Sequence, residues 1–179
     1  KQEVSSNTVK KTPVKEVNKA QTKSNVPSTK VTPSKPVQAS TATSTATGAT
    51  TTDQVMAFEE KVAELTNVER TKNGLKALQI DRPLMAAARE KSQDMKDNNY
   101  FSHTSPTFGS PFDRMKALNI SYKSAGENIA KGQKSPEQVV EAWMNSAGHR
   151  ANILDKNFTH IGVGYVKNGH IWTQQFIKK

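Results

Sequence analysis

The first 52 residues contain no Phe, Trp, Tyr, Leu or Ile, and every aromatic residue of the 179-residue chain lies from Phe58 onward. A segment made mostly of Thr, Ser, Val, Lys, Pro and Ala cannot bury enough apolar surface to offset the entropy of ordering its backbone. Residues 1–52 therefore read as a disordered linker, extended by its Pro and Thr content and without a fixed repeat. The folded unit is expected in residues 53–179, and those 127 residues suffice for one self-sufficient core.

Charge divides along the same line. The tail holds eight lysines (positions 1, 10, 11, 15, 19, 23, 30 and 35) against Glu3 and Glu16, a net +6 out of the chain's +10, which leaves +4 for the domain. One reading is a polycationic tether to an anionic partner such as a cell-wall teichoic acid, a membrane surface or nucleic acid; the other is a set of lysines that keep a linker soluble and extended. Nucleic acid is not the expected partner, because the tail has neither Arg for bidentate contacts nor aromatics for stacking. With no cysteine, thiol catalysis and thiolate metal sites are excluded. The lack of cysteine fits either a cytosolic protein or a secreted one from a lineage that avoids disulfides. A chain that begins at Lys1 rather than Met is expected to have lost an N-terminal piece, which either a cleaved signal peptide or a trimmed sequence would explain. No apolar run approaches the ~18 residues that a membrane span needs.

Within the domain, Asp53 is a suitable cap for a first helix, whose Val55, Phe58, Val62, Leu65 and Val68 recur at three- and four-residue spacing until Asn73-Gly74. Asp81 and Pro83 open a second helix with Leu84, Ala87, Ala88 and Met95 inward, stopped by Asn98-Asn99. Ser110-Pro111 starts a short third helix to about Leu118, and Ser124–Ala130 reads as a strand. Ser135-Pro136-Glu137-Gln138 starts a fourth helix ending near Gly148. His160–Lys167 and His170–Ile177 flank Asn168-Gly169 as a hairpin. Apolar residues on both faces of these strands call for helices on both sides of the sheet. The expected fold is α/β (in the α+β sense): a three-layer α/β/α sandwich of about four helices around a small antiparallel sheet.

Several chemistries have no motif here: there is no Gly-x-Ser-x-Gly elbow, no His-Glu-x-x-His and no P-loop. What remains is His103, His149, His160 and His170 in polar or glycine-rich settings, and Glu127 in Gly126-Glu127-Asn128-Ile129-Ala130. A carboxylate in a partly buried strand needs partners, and histidines are the candidates.

That segment, together with Trp143-Met144-Asn145-Ser146-Ala147-Gly148-His149-Arg150-Ala151-Asn152-Ile153-Leu154, Ile161-Gly162-Val163-Gly164, Trp172-Thr173-Gln174 and, upstream, Tyr100-Phe101-Ser102-His103-Thr104, resembles the bacterial extracellular branch of the CAP superfamily. This superfamily comprises the cysteine-rich secretory, antigen 5 and plant pathogenesis-related proteins. The resemblance spans residues 55–177. It implies an α/β/α sandwich with an open cleft where two His and two Glu converge. By motif these are His103, Glu127 and His149, with Ser146 standing where eukaryotic members carry the second Glu. Asn128 and Gln174 lie in the same motifs and are expected at the cleft.

The resemblance implies a secreted protein, and a Gram-positive cell wall is the expected setting. Its cleft would bind a small ligand (lipid or glycan) or a peptide. His103 and His149 could together hold a divalent ion such as Zn²⁺ or Mg²⁺. The competing function is a metal-dependent hydrolase of peptide or wall glycan, with the two imidazoles on the ion and Glu127 as general base.

Overall fold

The computed structural model describes residues 3–11 and 51–179; the remainder of the expected linker lies outside the described residues. The described segments form, in order, β1 (Glu3–Lys11), α1 (Thr51–Lys72), β2 (Gln79–Ile80), α2 (Arg82–Asp97), α3 (Pro111–Ala117), β3 (Ser124–Lys131), α4 (Pro136–Met144), α5 (Ala147–Ile153), β4 (His160–Val166) and β5 (Ile171–Lys178). The sheet order is β1-β3-β5-β4-β2. All neighbours are antiparallel except β2, which runs parallel to β4. The α/β/α sandwich is as expected, with α2 and α3 on one face and α1, α4 and α5 on the other.

Local chemistry sets the helix ends. Asp81 caps α2 by accepting from Leu84 N–H at 2.9 Å, and Asn99 (φ 50°) turns the chain after it. Ser110 and Asp113 cap α3 reciprocally. The single helix expected from Ser135 to Gly148 is two: α4 stops at Asn145, and Ser146 starts α5. The hairpin also differs from expectation. Its turn spans Lys167–His170 rather than Asn168-Gly169 alone, with positive φ at Gly169 and His170.

Each face has its own core. Val62, Val139, Trp143, Trp172 and Phe176 fill the space beneath α1 and α4. Leu84, Met115, Ala125 and Ile177 fill that beneath α2 and α3. Val68, placed inward by its spacing, is 40% exposed. Glu59, invisible as a core residue in the sequence, is fully buried. It accepts from the Arg89 guanidinium of α2 and from Tyr165 N–H of β4 at 3.1 Å, so one carboxylate fastens three elements.

The linker reading fails at its N-terminal end: Glu3–Lys11 forms an edge strand on β3, with Ser5 opposite Ile129 and Asn7 opposite Glu127. Composition missed it because a strand held by main-chain bonds needs no apolar side chains of its own.

Asp81 carries a pH prediction. Burial by itself would raise its carboxyl, but the bonds from Lys179 and Leu84 N–H and the charges of Lys179 and His160 outweigh this and hold it below the ordinary carboxylate range. A depressed carboxyl stabilises the fold above its unfolded pKa of about 3.9, and that contribution is lost as pH falls through the lower folded value. Asp81→Asn keeps a good cap but does not titrate. It should cost about 1 kcal/mol at pH 7, and the gap to wild type should narrow in urea titrations as pH falls through the lowered folded pKa. Asp81→Ala should cost about 1–2 kcal/mol at pH 7.

Candidate functional site

Glu127 lies in the middle of β3 with its side chain fully buried on the α2 face. One carboxylate oxygen is 2.8 Å from His103 Nδ1, and the other accepts from Gln175 Nε2 at 2.8 Å. With the carboxylate as acceptor, His103 Nδ1 is the donor, which fixes the ring's orientation. His103 Nε2 is buried and has no hydrogen-bond partner among the described residues.

Behind this pair lies a cluster the sequence reading did not assemble. Lys91 Nζ, on α2, donates to the His103 carbonyl and to the Tyr100 hydroxyl, both at 3.0 Å. Tyr100 O–H in turn donates to Asp94, which also accepts from Ser105 Oγ at 2.7 Å. Burial pushes the Lys91 ammonium down, opposed by the charges of Glu127 and Asp94. Burial, with the bond to Asp94, pushes the Tyr100 phenol up. These groups clamp the Tyr100–Ser105 loop to α2 and so set the height of His103 over β3. The i, i+3 pairing of Lys91 with Asp94 was the available signal, but it reads equally as a solvated helix face.

Adjacent residues of a strand point to opposite faces, so Asn128 projects to the α1 side. Its Nδ2 donates to His149 C=O at 3.2 Å and to Gln174 Oε1 at 3.0 Å. Gln174 Nε2 continues the chain to Thr66 Oγ1 at 2.7 Å. His149 Nδ1 is 2.7 Å from Ser146 Oγ, whose hydroxyl therefore does not cap α5. The residue that replaces the second Glu thus steadies the second imidazole with a neutral hydroxyl. The two clusters join at Asn152, whose Nδ2 donates to Asn128 Oδ1 at 2.9 Å and to Glu127 C=O at 3.3 Å.

The six residues expected at the cleft therefore fall into two groups astride β3: His103 with Glu127, and Ser146, His149, Asn128 and Gln174. Gln175 and Asn152 complete them. Two consecutive Gln in an otherwise apolar strand were the sign that both faces carry polar groups. His160 and His170 are elsewhere: His160 Nδ1 bonds Thr159 Oγ1, and His170 is half-buried with Nδ1 2.7 Å from the Tyr165 hydroxyl.

The donor set does not match a tight metal centre. Among the described residues no three His, Asp or Glu side chains are grouped to hold an ion, whereas zinc sites use three or four protein ligands. Glu127 is already bound on both oxygens by His103 and Gln175.

An α/β/α sandwich with a buried polar network astride one strand defines the class. Residues 63–176 match the cysteine-rich secretory protein (CAP) family, and the chain belongs to it. It is 68% identical over 139 residues to the uncharacterized protein YkwD of Bacillus subtilis, covering 78% of this chain and 54% of YkwD. A solved Bacillus anthracis extracellular protein containing an SCP domain is 38% identical, with a TM-score of 0.68, over 74% of this chain and 45% of that one. An outer surface protein of Borrelia burgdorferi is 26% identical, with a TM-score of 0.63, over 72% of this chain and 95% of its own. The chain thus spans about half the length of YkwD and of the Bacillus anthracis protein. No described helix is long and apolar enough to cross a membrane.

Proposed function

We infer that the protein is a secreted, cell-wall-associated binding module whose cleft takes a ligand by hydrogen bonding, without catalysing a reaction. The observation that carries this reading is His103. Its Nδ1 is fixed by Glu127 at 2.8 Å, and its buried Nε2 has no partner among the described residues, so the ring is oriented to bond a ligand's polar group. The polar groups around it are engaged with one another, as suits a preformed recognition surface. The extracellular and outer-surface relatives support secretion, and the tail's net +6 supports attraction to an anionic wall polymer.

Two measurements test this. Replacing the eight tail lysines by Ser should abolish retention on purified Gram-positive walls at low salt, where charge attraction is least screened. Equal retention removes the tether. His103→Ala and His149→Ala should each weaken binding of soluble fragments from digested walls by about tenfold or more, the worth of one or two good hydrogen bonds. Unchanged affinity removes the cleft. Wall hydrolysis that needs Zn²⁺ or Mg²⁺ and stops with chelator would favour the metal-dependent hydrolase instead.

A further inference from the structure

The two long edges of the domain's sheet are finished differently. Along β4, main-chain groups that face away from β5 meet partners fixed within the domain. Ile161 C=O accepts from Asp81 N–H at 3.0 Å, and Tyr165 N–H donates to the buried Glu59 carboxylate at 3.1 Å. Such capping is how folded domains keep an edge from pairing with another chain.

Along β3 the arrangement is different. Gly132 N–H donates to the His170 carbonyl on the β5 side, in register with the β3–β5 pairing. Main-chain direction alternates along an antiparallel strand. Ala125, Glu127, Ile129 and Lys131 therefore aim their N–H and C=O groups away from β5. Two of those carbonyls receive side-chain bonds, Glu127 from Asn152 and Ile129 from Trp143 Nε1, both at 3.3 Å. Their N–H groups meet no side-chain acceptor among the described bonds. What lies opposite is β1, with Glu3 facing Lys131, Ser5 facing Ile129 and Asn7 facing Glu127. Glu127 therefore holds His103 with its side chain while its main chain faces the added strand.

We propose that the outer edge of β3, between His103 and His149, is a docking site for an extended polypeptide added as a strand, and that residues 3–11 of this chain occupy it in cis. This deepens the cleft reading and rests on it, naming peptide as the ligand class. Only an extended peptide carries donors and acceptors at the two-residue strand repeat of about 6.8 Å that this edge presents. A sterol, fatty acid or sugar does not. The occupant's sequence, Glu-Val-Ser-Ser-Asn-Thr-Val-Lys-Lys, is joined to the domain through residues 12–50. A tethered occupant of this kind acts at an effective concentration on the order of millimolar, so a competing peptide binds only when it exceeds that level or when the cis strand is released.

The alternation supplies the test, made on the full chain. Ser5 and Asn7 face β3 with their N–H groups; Ser6 faces outward. Ser5→Pro with Asn7→Pro removes both donors, whereas Ser6→Pro lies where an edge strand tolerates proline. By amide hydrogen exchange, the Glu127 and Ile129 amides should exchange about tenfold or more faster in the double variant and be unchanged in Ser6→Pro. The Asn128 and Ala130 amides, aimed at β5, should stay protected in all three. A synthetic peptide of residues 1–13, added at about 100 μM, should restore protection in the double variant and have little effect on the wild type. Glu127 and Ile129 amides that exchange equally fast in wild type and double variant would overturn the cis strand. A double variant that opens but gains no protection from the peptide would overturn the docking site. If wall fragments still bind in a His103-dependent manner in either case, the cleft stands and only the strand assignment falls.

Discussion

Gly164→Ala should cost about 3 kcal/mol or more, enough to lower the melting temperature by about 10 °C or to prevent folding. A Cβ on Gly164 would lie 2.2 Å from the Ala88 carbonyl carbon and from Arg89 N, and one on Gly162 would lie 2.4 Å from the Leu84 carbonyl carbon. These obstacles are backbone atoms of α2, not side chains that can turn aside. Relief requires α2 to move off β4 by more than an ångström. That movement would strain the Ser92 Oγ bond to Gly164 C=O at 3.1 Å and the Arg89–Glu59 pair, and it would open the close-packed layer beneath α2. Because α2 also carries Lys91, the loop holding His103 would move with it. Gly74→Ala is the control: its Cβ would meet nothing within 4 Å, so only the positive φ of 71° is penalised, about 1 kcal/mol. Urea midpoints compare the two. Equal losses would mean that α2 yields to the added methyl and that close helix–sheet approach does not explain the glycines of β4.

The sequence carried the sandwich well because its signals were local: Asp81 and Ser110 as caps, helical spacing in α2, and two-sided apolar strands. It failed where a long-range contact decides. Nothing near Glu59 in sequence announces a buried carboxylate; its partners Arg89 and Tyr165 arrive only through packing. The break at Asn145-Ser146 was hidden because the residues on both sides favour helix, and the Ser146 hydroxyl is taken by His149. At the site, motif matching named His103, Glu127, Asn128, His149 and Gln174, and each lies within or beside the polar network. It could not say that they divide between two faces of β3, because that division follows from strand alternation at a register known only once the sheet is assembled. Lys91 and Asp94 escaped for the opposite reason: charges at helical spacing are ordinary on a solvated face, and only the loop from Tyr100 to Ser105 turns these two inward.

Glu127 is where the fold and the site depend on the same atoms, and two substitutions separate its roles. Glu127→Ala leaves His103 Nδ1 and Gln175 Nε2 buried without their acceptor and deprives Lys91 of a nearby negative charge. Each orphaned buried group costs about 1–3 kcal/mol, so the variant should lose about 3 kcal/mol or more. Glu127→Gln should lose under about 1 kcal/mol. The new amide oxygen still accepts from His103. Gln175 Oε1, buried without a partner among the described residues, can accept from the new NH₂ once the Gln175 amide turns over, so the shape and every hydrogen bond survive while the charge goes. Urea unfolding of both variants at pH 7, beside the wild type, reads the difference directly. If Glu127→Gln proves as damaging as Glu127→Ala, then the negative charge facing Lys91 holds this part of the fold, and hydrogen-bond geometry around His103 is secondary. If Glu127→Gln keeps both its stability and its affinity for wall fragments while Glu127→Ala loses both, the carboxylate acts by positioning the imidazole. Its charge is then dispensable for binding, which is incompatible with Glu127 serving as the general base of a hydrolase.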